Sequence, residues 1–139
     1  MESNNVLHQW RRKDWYYRTK RKWKNHLFEE NNQPIGTVIL SDIDYKNGTA
    51  EIHIKLDKNI RAKGYGTETI KLTVEYAFNE LRLNCIYAHI NSYNENSQKL
   101  FEKCGFEQEG LQRNRVYKEG NYHDVYSYSI LRGEFYGNR

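Results

Sequence analysis

The spacing of hydrophobic and polar positions changes along the chain, and each change marks an element. Ile35 to Ser41 (IGTVILS) is a β-rich run, and Thr49 to Leu56 (TAEIHIKL) alternates with period two. Asp42 to Gly48 lies between them and ends in Asn-Gly, which predicts a hairpin. In its second strand Ile52, Ile54 and Leu56 share one face and Glu51, His53 and Lys55 the other, so the polar face is either solvated or a site. After Gly66 the period becomes helical, with Ile70, Val74, Ala77 or Phe78, and Leu81 on one side. Asn84 to Ile90 (NCIYAHI) reads as a mostly buried strand. Leu100, Phe101 and Cys104 mark one face of a short helix, which Gly105 ends in a left-handed conformation with Phe106 packing back on the last turn. A turn at Glu119-Gly120 leads into a last strand, Asn121 to Leu131.

Composition narrows the picture. With 139 residues and one proline, the chain suits a single domain over residues 1–139. Hydrophobic residues are 37% and charged residues 29%, polar for a globular protein, yet twelve tyrosines help to supply a core. No run approaches the ~18 apolar residues of a membrane span, and the start (MESNNVLHQW) lacks a secretory pattern, which predicts a soluble, cytoplasmic protein without a membrane partner. Cys85 and Cys104 lack a second pair, so the expectation is two reduced core thiols and no metal.

Charge is uneven. Residues 11–24 (RRKDWYYRTKRKWK) hold eight Lys or Arg against one Asp, a local +7, whereas the whole chain sums to +4; the remainder is therefore acidic. The basic aromatic segment, residues 1–26, is expected to form a solvated amphipathic helix that docks Trp10, Trp15 and Trp23. The same interleaving of cations and rings also suits an anionic small ligand or a nucleic acid. Asn31 to Pro34 is a turn by composition, and the body starts near Leu27. The expected order is helix, hairpin, helix, strand, helix, strands, an α+β chain.

Two segments carry candidate chemistry. In Asp57 to Thr69 (DKNIRAKGYGTET) a strand runs through a basic glycine turn straight into a helix, a geometry that seats anions on backbone N–H groups. Gly64 and Gly66 let the backbone curl, and Arg61 and Lys63 add charge. No Gly-Lys-Ser/Thr follows, and Thr69 occupies the third glycine position of the dinucleotide fingerprint, which excludes both of those motifs. In Asn91 to Phe106 (NSYNENSQKLFEKCGF), Asn94 is placed to cap the helix and Ser97 lies in its first turn.

Taken together, Arg61-Ala62-Lys63-Gly64-Tyr65-Gly66-Thr67 and Asn94-Glu95-Asn96-Ser97 leading to Phe101-Glu102-Lys103-Cys104-Gly105-Phe106 resemble the GNAT superfamily of acetyl-CoA-dependent N-acetyltransferases. The resemblance covers about residues 27–131. The ending Tyr117 to Val125 (YKEGNYHDV) is similar to the branch of the ribosomal-protein N-terminal acetyltransferases, with spermidine and amino-sugar enzymes nearby. It implies a GNAT fold: a central mixed, mostly antiparallel sheet flanked by helices and splayed between the strand ending at Leu56 and the strand Cys85 to Ile90. Acetyl-CoA would lie in the cleft as co-substrate, its pyrophosphate on Arg61 to Thr67 and its pantetheine arm paired with the backbone of Ile54, Lys55 and Leu56. Asn94 would hydrogen-bond that arm, and Lys103 would reach the nucleotide end. Phe101 stands where many relatives carry a tyrosine acid; the hydroxyl is missing, so Ser97 inherits the donor role toward the sulfur, with Tyr93 and Tyr117 as spares.

An alkyl amine with a pKa near ~10.4 is neutral about once in ~2,500 molecules at pH 7, equivalent to ~4.6 kcal/mol of barrier. A base or a desolvating site is therefore expected to help. Glu51 stands where many relatives carry a carboxylate and is the first candidate, against an orienting or merely exposed role; His53 shares its face. The implied reaction moves acetyl to a primary amine, a protein N-terminus or an amino sugar, by direct attack in a ternary complex. The alternative is a nucleic-acid or ribosome-associated module with weak or no catalysis. Relatives usually carry a first strand and two helices before the hairpin, whereas some 26 residues precede the body here. Three outcomes are thus expected: the basic helix completes the acceptor wall, a second subunit in a homodimer does, or the chain binds acetyl-CoA without efficient turnover.

Overall fold

The computed structural model describes residues 11–12, 16–18, 23–30, 33–56 and 64–137, with side chains for 36–55 and 64–137. The elements run β1 (Arg11–Arg12), β2 (Tyr16–Arg18), β3 (Trp23–Glu30), β4 (Gln33–Asp44), β5 (Thr49–Leu56), α1 (Tyr65–Asn79), β6 (Cys85–Asn91), α2 (Glu95–Lys103), β7 (Glu107–Lys118), β8 (Asn121–Leu131) and α3 (Arg132–Gly137). They form one eight-stranded sheet in the order β1-β3-β4-β5-β6-β8-β7, with β2 paired to β3 off that path. All neighbours are antiparallel except β5 and β6. This is the mixed, mostly antiparallel sheet with flanking helices that the sequence implies. None of the described helices is long and apolar enough to cross a membrane.

The basic segment departs from expectation. Its described parts are strands, not an amphipathic helix: Arg11–Arg12 and Tyr16–Arg18 pair with β3, and β3 pairs with β4 from Lys24 to Glu30. Aromatic residues favour a pleated, half-buried surface, and here pairing on the hairpin outweighs the helical reading of the charges. Trp10 and Trp15 lie outside the described residues.

Elsewhere the local signals lead to the elements expected. Asp44 Oδ1 accepts the N–H groups of Lys46 and Asn47, each at 3.0 Å, closing the β4–β5 turn. Glu119 and Gly120 take φ of 52° and 83° between the paired Lys118 and Asn121, the left-handed pair that a two-residue hairpin needs. Val38 and Leu40 of β4, Ala50 and Ile52 of β5, and Ile86, Ala88 and Ile90 of β6 cover one sheet face. They share a core with Ile70, Val74, Ala77 and Phe78 of α1 and with Phe101 of α2, none more than 4% exposed. α3 lays Phe135 and Tyr136 against Phe78, with ring centroids 5.6 and 6.3 Å away.

One local feature positions everything that follows. β5 and β6 pair over three rungs only, Thr49↔Cys85, Ala50↔Ile86 and Glu51↔Tyr87. Gly48 sets that register: at φ 72° its carbonyl accepts the N–H groups of Asn84 and Cys85 at 2.7 and 2.9 Å. A Cβ there would lie 3.2 Å from Asn84 N. Beyond Glu51 the two strands part, β5 staying with β4 as far as Leu56 and β6 with β8 as far as Asn91.

Candidate active site

The parted strands open onto a cleft of about 590 Å³ between β5, the start of α1 and the exposed side of α2. Ile54 and Lys55 form one wall, and Gly64, Gly66 and Thr67 form the floor of the α1 entry. Asn94, Ser97 and Lys103, all expected at the site from sequence, come from α2 and its N-cap together with Asn96, Lys99 and Leu100, which were not assigned to the site. The missed residues were within reach of periodicity: Asn96, Leu100 and Lys103 fall at i, i+4 and i+7, and Lys99 lies one turn from Lys103.

The two glycines of the turn do different things. Gly64 is the N-cap of α1 at φ 82°, with no side-chain cap, and a Cβ would meet nothing within 4 Å. Its requirement is for the backbone angle rather than for space. Gly66 instead sits inside the helix and is buried on the cleft wall, without the positive φ that a curl would need. Within the helix pattern Glu68 N–H reaches back to Gly64 O at 3.3 Å, and the N–H groups of Gly66 and Thr67 precede that bond in the first turn, where a helix supplies no acceptor of its own. Such a terminus favours an anion. Arg61, Ala62 and Lys63 lie outside the described residues, as does the side chain of Leu56.

α2 is held firmly at both ends. Asn94 Oδ1 accepts the Ser97 N–H at 3.1 Å, which leaves the Asn94 amide nitrogen to donate. At the other end Gly105 (φ 96°) and Phe106 return their N–H groups to Glu102 O and Phe101 O, both at 3.0 Å. Phe106 packs edge-to-face on Phe101 at 5.0 Å. This is the glycine stop expected from sequence. It also takes Phe101 into the core at 3% exposure, and Tyr65 is likewise buried, so neither ring lines the cleft. Cys104 Sγ donates to Thr67 O at 3.7 Å, linking the end of α2 to the first turn of α1, and burial pushes its thiol up to about 11. Both cysteines are free.

The opposite sheet face carries a polar group. Glu51 Oε2 lies 2.8 Å from His89 Nδ1, and its Oε1 lies 3.8 Å from His53 Nε2. His53 Nε2 is also 3.0 Å from Ser41 Oγ. Glu51 is the least exposed of the three at 14%, against 37% for His89 and 50% for His53. Next to them, burial and then the Glu51 charge push the Tyr87 hydroxyl upward. Sequence alternation joins Glu51 to His53; His89 was missed because its partner lies 38 residues away on a parallel strand. Tyr93 packs edge-on against His123 at 4.9 Å, and Tyr117 against Tyr122 at 5.1 Å; neither lines the cleft.

Comparison with known proteins agrees with this geometry. A family model described as an acetyltransferase (GNAT) domain matches residues 2–107. An uncharacterized N-acetyltransferase, p20, of Bacillus licheniformis is 36% identical over 80% of this chain and 62% of its own length. The spermidine N(1)-acetyltransferase of Vibrio cholerae is 33% identical over 73% of this chain and 58% of its own. Among solved structures, spermidine N-acetyltransferase from Vibrio cholerae in complex with CoA and spermine superposes with a TM-score of 0.77 at 30% identity, covering 82% of this chain and 68% of that one. The chain thus spans about three fifths of the length of the curated relatives it matches. On the family match, the parted strands and the glycine entry of α1 together, the chain belongs to the GNAT acetyltransferase family.

Proposed function

We propose that this chain transfers an acetyl group from acetyl-CoA to a primary amine by direct attack in a ternary complex. The observation that carries the reading is the gap between β5 and β6 opening onto a cleft whose floor is the N-terminus of α1. Backbone groups of Ile54, Lys55 and Leu56 run along the parted edge, where the amide-bearing pantetheine arm can pair as a strand would. The pyrophosphate rests on the N–H groups of Gly66 and Thr67 and on the turn Arg61 to Gly64. Asn94 donates its amide to the arm, and Lys99 and Lys103 attract the nucleotide phosphate from one side of α2. Ser97, on the cleft side of the first turn, donates toward the departing sulfur. That donor is needed only modestly, because a thiol near pKa ~8.5 already leaves well. The amine approaches from the opposite face and gives up its proton to the group centred on Glu51.

A protein N-terminus or an amino sugar is the acceptor favoured by the resemblance to the ribosomal-protein branch. A polyamine, the acceptor in the name of the Vibrio cholerae relative, competes with it. In the sheet order β3 and β4 separate the basic strand β1 from β5. The test is titration calorimetry of acetyl-CoA followed by thiol release with an N-terminal peptide, glucosamine and spermidine. Micromolar or tighter binding with turnover on one of these supports the proposal; absence of acetyl-CoA binding overturns it.

A further inference from the structure

Glu51, Ser41, His53 and His89 come together on the sheet face away from α1 and α2. The carboxylate is largely covered, and one imidazole stands beside each of its oxygens. The two imidazoles are not equivalent. His53 shares its Nε2 between Ser41 Oγ at 3.0 Å and Glu51 at 3.8 Å, so that nitrogen is turned into the sheet. His89 uses Nδ1 for Glu51 at 2.8 Å, and among the described residues no hydrogen bond engages its Nε2. At 37% exposure the ring is open to solvent. It lies two residues past Tyr87, the last rung before β5 and β6 part, and hence beside the gap.

We infer that His89 Nε2 is the atom that takes the proton from the acceptor amine, with Glu51 acting behind it as the positioning residue. The inference rests on the acetyl-transfer reading. A carboxylate facing Nδ1 selects the tautomer with the hydrogen there, which leaves the Nε2 lone pair directed outward. Imidazole is the side chain that most often serves as general base, and here it is the group with an outward lone pair while both carboxylate oxygens face imidazoles. Glu51, the more covered group, supports the imidazolium that forms. The amine arrives as an ammonium and loses two protons. One passes to Nε2 and on to solvent; the nitrogen lone pair then forms the C–N bond while the C–S bond breaks onto sulfur. The second proton, made acidic by the attack, ends on the coenzyme thiol. Tyr87 of β6, whose ring meets that of His89 edge-on at 5.8 Å, is an ionisable neighbour of the group, and among the described residues Glu51, Asp42, Cys85 and Asp44 act in turn on its hydroxyl.

Two measurements on the full chain decide this. With acetyl-CoA and whichever of the three amines is acetylated, His89→Ala is expected to lower kcat at least tenfold while the KM for acetyl-CoA stays within twofold, and added imidazole to restore part of the rate. Unchanged kcat, or a loss that imidazole does not restore, overturns the base role. Independently, nitrogen-15 correlation spectra of the imidazoles are expected to show His89 as the Nδ1–H tautomer in the parent and to lose that bias in Glu51→Gln. An Nε2–H ring in the parent overturns the pairing. If the parent acetylates none of the amines, the transfer reading falls and the base role with it. The spectra then still decide whether the Glu51–His89 pairing stands.

Discussion

The two faces of the sheet near the parted strands are built in different ways. On the helix side, the cleft draws on two short contiguous stretches, 64–67 and 94–103, plus two residues of β5. On the other side the polar group takes Ser41 from β4, Glu51 and His53 from β5 and His89 from β6, joined by strand register alone. On the proposed reading the first face would act through backbone N–H groups and helix ends, joined by side chains that these short stretches carry into the cleft. The second depends on particular atoms a few ångströms apart. Binding of the donor and handling of the proton should therefore fail separately under mutation.

Gly66→Val is the largest test of that separation. A branched side chain on the buried cleft wall is expected to weaken acetyl-CoA at least ~100-fold, about 2.7 kcal/mol, by calorimetry. The circular dichroism spectrum should be kept. Unchanged affinity would remove Gly66 from the binding surface. Glu51→Gln should do the reverse, lowering kcat roughly 10²-fold with acetyl-CoA affinity intact. A matching loss of affinity would merge the two faces into one site. Ser97→Ala is expected to reduce kcat about tenfold and binding less than twofold, since the thiolate departs tolerably alone. Equal kcat would discard the donor.

Two smaller tests concern the framework. The Cys104 thiol, ordinarily near 9.0, is held up at about 11 by burial. Below the lower value both folded and unfolded chains keep the proton; between the two only the folded chain does. Stability is therefore lost as pH rises from about 9 to about 11, on the order of 2 kcal/mol. Urea midpoints across that range should fall more in the parent than in Cys104→Ala, and parallel curves would contradict the assignment. Lys99→Ala should weaken acetyl-CoA only three- to tenfold, an effect that shrinks in high salt because the side chain is exposed. A loss that salt leaves unchanged would argue against an electrostatic role.

Signals confined to a few consecutive residues could be read directly from the chain. Asn47-Gly48, Glu119-Gly120 and Gly105-Phe106 each specify a turn or a stop whose cause is the φ of one or two residues, and each is found as expected. The alternation in β5 correctly separates Ile52 from Glu51 and His53. Two kinds of information were not local. The strands of the basic segment depend on pairing with β3 and β4, which no charge count reveals. His89 meets Glu51 only because β5 and β6 run parallel in a register that Gly48 anchors from outside either strand. Phe101 illustrates a third case: its place in the motif pointed at the cofactor, while packing on Phe106 takes it into the core.

The three-rung ladder between β5 and β6 has a consequence for amide exchange. A strand normally slows the exchange of every N–H it bonds, yet past Glu51 the facing edge of β5 gains no such protection from β6. Any molecule that completes this edge would slow deuterium uptake at those alternate N–H groups of residues 53–56 that face the gap, while leaving the ones bonded to β4 and Thr49 to Glu51 as they were. Occupancy of the gap could thus be read from the main chain, without following the reaction.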